Sequence, residues 1–215
     1  MAGWRREGSL RRGIRPLGLW LLPAGLLVVL TAGLPHRAAA QDPASAGGWV
    51  EFGLGGGWGQ VTCAICSGHR RRGVEARVGA GTWLRSGVGL GAEASGWVTS
   101  DDPARQILGT IHVFGEVRPA GGPVHARVGL GTGHYRGLET GDSPDLEMLA
   151  LSARLEVGAE ALVGGRTRVR PVLSANLAGF GTLRRGDRVV WEGAGFNLLR
   201  GGLSVSRSGG PRGGR

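Results

Sequence analysis

The residues able to do chemistry in this 215-residue chain are few and widely spread. Cys63 and Cys66 are its two cysteines, and Ser67-Gly68-His69 follows them. A local disulfide pinning a loop is the first reading of such a pair in an exported chain. A metal held by Cys63, Cys66 and His69 would lack a fourth ligand. A redox centre would need a strand-to-helix turn, which the flanking residues do not offer. His112, Ser174 and Glu116 could supply a base, a nucleophile and a carboxylate on one face. A crowded polar interior brings such residues together without catalysis, and no phosphate loop, zinc signature or nucleophile elbow appears. We therefore expect no catalytic site, no metal and no cofactor. Asp101-Asp102, Asp142 and Asp145 could meet divalent cations, although turn chemistry explains them more simply. Arg70-Arg71-Arg72, in the same segment as the cysteines, could meet phosphate groups.

Composition limits which elements can carry these residues. The chain holds 44 Gly and is 6% aromatic, too much glycine for an ordinary helical enzyme, and the glycines do not recur at every third position as in collagen. All 26 basic residues are Arg, against 16 acidic ones. Such a bias follows from overall composition as readily as from a nucleic-acid surface, so no nucleic-acid partner is expected. A mean hydropathy of −0.03 with one long apolar run argues against several membrane helices. It leaves open a barrel, whose strands alternate apolar with polar residues.

The apolar run lies at the N-terminus. Arg5, Arg6, Arg11, Arg12 and Arg15 precede Leu17 to Leu34, and Ala38-Ala39-Ala40 follows. This is the order of a secretory signal: a basic region, an apolar core, then small residues at a cleavage site. We expect 1–40 to be a cleaved signal peptide, 41–207 the folded domain and 208–215 a disordered Gly/Arg tail. Cleavage would remove six Arg and one Glu, half of the net charge of +10.

The rest of the chain divides into eight segments near 49–61, 72–84, 87–98, 106–118, 123–136, 146–163, 168–181 and 196–207. Each is long enough to cross an outer membrane as a tilted strand, which takes about 9 to 11 residues. Their side chains alternate with period two. Val74, Ala76, Val78, Ala80, Thr82 and Leu84 oppose Glu75, Arg77, Gly79, Gly81 and Trp83. Val124, Ala126, Val128 and Leu130 oppose His125, Arg127, Gly129 and Gly131. Leu149, Leu151, Ala153, Leu155 and Val157 oppose Ser152, Arg154, Glu156, Gly158 and Glu160, a separation that decides for strand despite good helix formers. Leu108 and Phe114 fall on the polar side of their segment.

Connection lengths separate a membrane barrel from a soluble one. Arg85-Ser86, Pro119 to Gly122 and Gly164 to Thr167 are tight joins. Thr62 to Arg71, Thr99 to Arg105, Gly137 to Asp145 and Leu183 to Gly195 are longer or more polar. Tight turns at one end and long loops at the other is the outer-membrane arrangement.

Through Gly48-Trp49-Val50-Glu51-Phe52-Gly53, Arg127-Val128-Gly129-Leu130-Gly131 and this rhythm, the chain resembles the small eight-stranded outer-membrane β-barrel family, of the OmpA-transmembrane-domain and OmpX type. The resemblance implies an all-β, eight-stranded antiparallel up-and-down transmembrane β-barrel behind a cleaved signal peptide. It also implies outer-membrane lipid and lipopolysaccharide as surroundings, the barrel-assembly machinery during insertion, and a monomer. Family members usually end on an aromatic residue, whereas here Leu203-Ser204-Val205-Ser206-Arg207 is followed by a Gly/Arg tail.

With polar faces inward, the lumen would receive Glu51, Glu75, Glu93, Glu116, Glu156 and Glu160, and also Arg77, Arg118, Arg127, Arg154, Arg170 and Arg200. Eight strands leave an interior that side chains can fill, and buried charges there must pair. We expect a plugged barrel with a structural or surface-interaction role and not a diffusion pore or an enzyme; the alternatives are a barrel enzyme acting on outer-membrane lipids and a soluble periplasmic β-barrel binding protein. Inward glycines at 53, 79, 89, 129 and 158 would make room for long side chains. Trp49, Trp58, Trp83, Trp97 and Tyr135, near segment ends, could form interfacial aromatic girdles, although Trp83 and Trp97 carry inward parity.

Overall fold

Runs of valine, leucine and threonine alternating with glycine or charge form strands, because period-two side chains can send all apolar groups to one face. The computed structural model describes residues 47–64, 66, 68–85, 87–99, 105–119, 123–138, 145–164 and 166–209. They form β1 (Gly48–Thr62), β2 (Arg71–Arg85), β3 (Val88–Thr99), β4 (Arg105–Val117), β5 (Val124–Leu138), β6 (Leu146–Ala159), β7 (Ala161–Gly164), β8 (Thr167–Arg185) and β9 (Arg188–Ser208). Among these residues there is no helix.

Neighbouring strands pair antiparallel from β1 to β6, β8 pairs with β6 and β9, and β9 returns to β1. The sheet is thereby closed and has eight staves. β7 continues the β6 stave beyond Glu160 and pairs with β8. Closure satisfies the backbone ladder all round, the condition for strands to cross a bilayer.

The outward face is apolar. On β2 the exposed residues run from Val74 to Leu84 without a charge. That stretch covers about 33 Å along the strand and, at a tilt of about 45°, about 24 Å along the membrane normal. The lipid-facing band of an outer-membrane barrel is about 25 Å tall. Leu130 is 70% exposed, Val74 67% and Val113 66%, and Val50, Phe52, Leu54, Ile111, Leu151 and Leu203 are exposed with them. A soluble barrel would hide such side chains, so this surface excludes the soluble alternative.

Three details differ from the sequence expectation. Leu183 to Gly195 is not a loop: β8 and β9 continue into a hairpin with Arg185 opposite Arg188 and Gly186-Asp187 as its turn. Gly186 supplies the positive φ, 57°, that a tight hairpin turn requires. Polarity hid these strands because, beyond the apolar belt, water faces both sides and alternation is no longer required. The sixth segment is broken at Glu160 into β6 and β7. β9 continues through Ser208, which pairs with Trp49, and the Gly209 N–H donates to the Gly48 carbonyl at 2.8 Å. Residues 1–46 and 210–215, and Asp101, Asp102 and Asp142, lie outside the described residues.

Candidate functional site

Parity that sends the aliphatic groups outward sends the charged ones into the lumen. Glu51, Glu75, Arg77, Glu93, Glu116, Arg127, Arg154, Glu156, Arg170 and Arg200 are all buried there, and Glu160 is partly buried at the turn end. Burying one such charge alone is prohibitive, so the arrangement depends on pairing.

Arg127 on β5 donates Nη1 to Glu51 Oε1 at 3.0 Å and Nη2 to Glu51 Oε2 at 2.6 Å. Its Nε donates to Glu116 Oε2 at 2.8 Å. The bidentate fork fixes orientation as well as charge. Glu51 also meets Arg77 at 3.2 Å and Arg170 at 3.1 Å. Arg77 and Arg154 both pair with Glu156, and Arg154 pairs with Glu93. Toward the turn end, Glu160 meets Arg118 at 2.7 Å and Arg170 at 2.8 Å, while Arg118 also pairs with Glu116. The Glu75–Arg200 pair stands apart, with Arg200 donating to Asn176 Oδ1 at 3.0 Å and to Ser95 Oγ at 3.3 Å.

Two of these contacts cross the whole lumen. β1 and β5 are opposite staves of the ring, as are β2 and β6, and Glu51–Arg127 and Arg77–Glu156 join them. The interior at this level is filled by paired charges. Close approach requires glycine at particular places: a Cβ on Gly53 would collide with the Arg77 side chain, and one on Gly81 with the Trp49 ring.

Aromatic rings also fill the lumen. Trp49, Trp97 and Tyr135 are buried inside, which overturns the girdle reading for them; Trp49 shares the parity of Glu51, and Tyr135 that of Arg127. Arg127 lies over the Phe114 ring at 4.8 Å and the Trp49 ring at 5.1 Å, so the central cation is held on both its edges and its faces. Trp83 carries Arg118 at 4.1 Å. Trp58 is 48% exposed, as a girdle residue would be.

The catalytic set is not assembled. His112 Nε2 meets Ser152 Oγ at 3.0 Å instead of Ser174, and the Glu116 carboxylate is engaged by arginines. Among the described residues no carboxylate orients His112, whose Nδ1 is buried without a hydrogen-bond partner there. Among the described residues no group of acidic, histidine and cysteine side chains is arranged to hold a metal. Cys63 and Cys66 are joined in a disulfide, with Cα atoms 5.1 Å apart, which sets aside ligation by free thiolates.

Sequence reasoning missed the apolar end of the lumen. Trp97, Leu108, Tyr135, Met148, Leu183, Phe196 and Leu198 are buried in one cluster toward the long-loop end. The signal was present: Leu108, Phe114, Trp97 and Tyr135 all carry inward parity. Buried Asn176, Ser204 and Ser206 were legible by the same rule.

No protein-family model matches this chain, and no curated protein matches it. Among solved structures, Neisserial surface protein A is similar at a TM-score of 0.51 and 13% identity, over 74% of this chain and 96% of that one. The attachment invasion locus protein Ail of Yersinia pestis is similar at a TM-score of 0.47 and 11% identity, over 73% and 98%. The N-terminal β-barrel domain of Pseudomonas aeruginosa OprF follows at 0.45 and 12%, over 76% and 99%. At these identities the likeness concerns the fold, and only the first bears on it. Together with this chain's own closed ring, apolar belt and charged lumen, it makes the protein an eight-stranded antiparallel transmembrane β-barrel.

Proposed function

We propose that this protein is a non-conducting outer-membrane barrel, exported by a signal peptide over 1–40, inserted by the barrel-assembly machinery and working as a monomer in a structural or surface-interaction role. The observation that carries this reading is the pair of ion contacts, Glu51–Arg127 and Arg77–Glu156, joining opposite staves inside a continuous apolar belt. A hydrated pore needs a free water column, and these charges occupy its place.

The surface partner we assign is lipopolysaccharide phosphate. Arg70, Arg105, Arg136, Arg184 and Arg188 are exposed at the long-loop end, where a guanidinium can grip phosphate bidentately. Arg136 already holds Asp145 at 2.8 Å, so the others are the better candidates.

Two measurements test the reading. Protein from urea-washed outer membranes should migrate faster unboiled than boiled, and the purified barrel in a planar bilayer should give no stepwise conductance. Steady open-channel currents would overturn the plugged lumen. Replacing Arg70, Arg184 and Arg188 by Gln should weaken binding to phosphorylated, but not to dephosphorylated, lipopolysaccharide vesicles; equal binding to both would remove the assigned partner.

A further inference from the structure

We propose that the Cys63–Cys66 disulfide fastens an apolar stopper in the long-loop mouth of the barrel, and that a dithiol reductant loosens it; this rests on the barrel reading above. The interior changes character along its axis. The turn end and middle hold the Glu/Arg network, whereas Trp97, Leu108, Tyr135, Met148, Phe196 and Leu198 fill the mouth. An apolar mouth facing water needs a cover, since leaving such groups wet forfeits the burial that holds them.

The cover is the end of β1 and the segment that follows it. Val61, Cys63 and Cys66, together with Trp191 from the β8–β9 hairpin, are partly buried and pack against the cluster. Three local links within the segment fix the shape in which it packs there. The disulfide links Cys63 to Cys66, the Cys66 N–H donates to the Cys63 carbonyl at 3.2 Å, and Gln60 Nε2 donates to the Gly68 carbonyl at 2.8 Å. Only the first is covalent. A small cavity at this end of the lumen is bordered by Gln60, Val61, Trp97, Gln106, Leu108, Tyr135, Phe196 and Asn197, so the cluster itself is not fully packed. Without the bridge, the chain between β1 and β2 recovers backbone freedom, and that conformational entropy opposes its packing on the cluster. The two hydrogen bonds that remain are each a modest net contribution against it.

The chemistry is ordinary exchange. One thiolate of a small dithiol attacks a cysteine sulfur, the S–S bond breaks and a mixed disulfide forms. The second thiolate of the same molecule displaces the protein thiolate. The dithiol leaves as a cyclic disulfide, and Cys63 and Cys66 take up two protons and two electrons as thiols.

The test uses the folded barrel in detergent micelles, before and after dithiothreitol, with acrylamide quenching of tryptophan as the readout and full reduction verified by alkylation. Trp97 and Trp191 report on the mouth, so reduction should steepen the quenching curve while the fast unboiled gel mobility persists. A C63S/C66S variant should show the steep curve without reductant and no further response to it. An unchanged curve after complete reduction overturns the proposal. Loss of the fast-migrating form on reduction also overturns it, because the bridge would then hold the whole barrel. Absence of that form in the oxidised protein would instead be a failure of the barrel reading itself.

Discussion

Arg127 and Glu51 meet through two parallel hydrogen bonds, at 2.6 and 3.0 Å, although they stand on opposite staves of the ring. The pair acts as a crossbar: it neutralises two buried charges, spans the lumen and fixes the separation of β1 and β5. Glu116 and Glu156 draw on the same guanidinium at 2.8 and 3.3 Å, so the crossbar is tied into its neighbours.

Removing one member should therefore cost more than removing an exposed charge. Arg127→Met leaves Glu51 and Glu116 short of a counter-charge, and breaking a buried pair costs about 3–5 kcal/mol. The temperature at which the fast gel form converts to the slow one should fall well below wild type. Arg136→Met, on a half-exposed pair, should leave it nearly unchanged.

Salt should discriminate the same two classes. At about 1 M the screening length is about 3 Å, enough to weaken solvent-facing pairs but not contacts sealed from water. Barrel stability should stay close to its low-salt value in a titration of unfolding against sodium chloride. A steep loss would mean that the lumen is wet and the network loose.

Glycine positions should split by what faces them. A Cβ on Gly131 would collide with the Ile111 carbonyl of the adjacent stave, whereas Gly109 has open space around it. Gly131→Ala should force β4 and β5 apart, at about 1–3 kcal/mol as overpacking, and reduce the yield of folded barrel. Gly109→Ala should fold as wild type, measured by the fraction of fast-migrating form after refolding.

The belt itself is testable by charge. Leu130→Arg places a guanidinium on the lipid face of β5, where the cost at the bilayer midplane is about 2–4 kcal/mol. Val189→Arg, on the hairpin beyond the belt, should cost little. Urea unfolding of both variants in lipid vesicles gives the comparison, and equal losses would place the hairpin in the membrane too.

Much of this was written in the period-two pattern. Once Val74, Ala76 and Val78 face one way, Glu75 and Arg77 must face the other, so membership of the lumen follows from parity alone. So did the inward Trp97 and Leu108, although aromatic residues near strand ends invited a girdle reading. Strand limits were less legible. At the β8–β9 hairpin both faces meet water, alternation is not enforced, and Arg184, Asp187 and Arg188 read as loop until the paired ladder is seen.

Partnership was the part that only tertiary structure decided. Sequence parity puts Arg127 inside, but whether it meets Glu51 across the lumen or Glu116 beside it depends on register and on the stagger with which the sheet closes. It meets both. The same closure set His112 against Ser152, 3.0 Å away, and not against Ser174, and seated Cys63 and Cys66 on an apolar cluster drawn from β3, β4, β5, β6, β8 and β9. Alternation is a local property of each strand, fixed by backbone stereochemistry; which inward side chains touch is fixed by the ring that all eight staves make together.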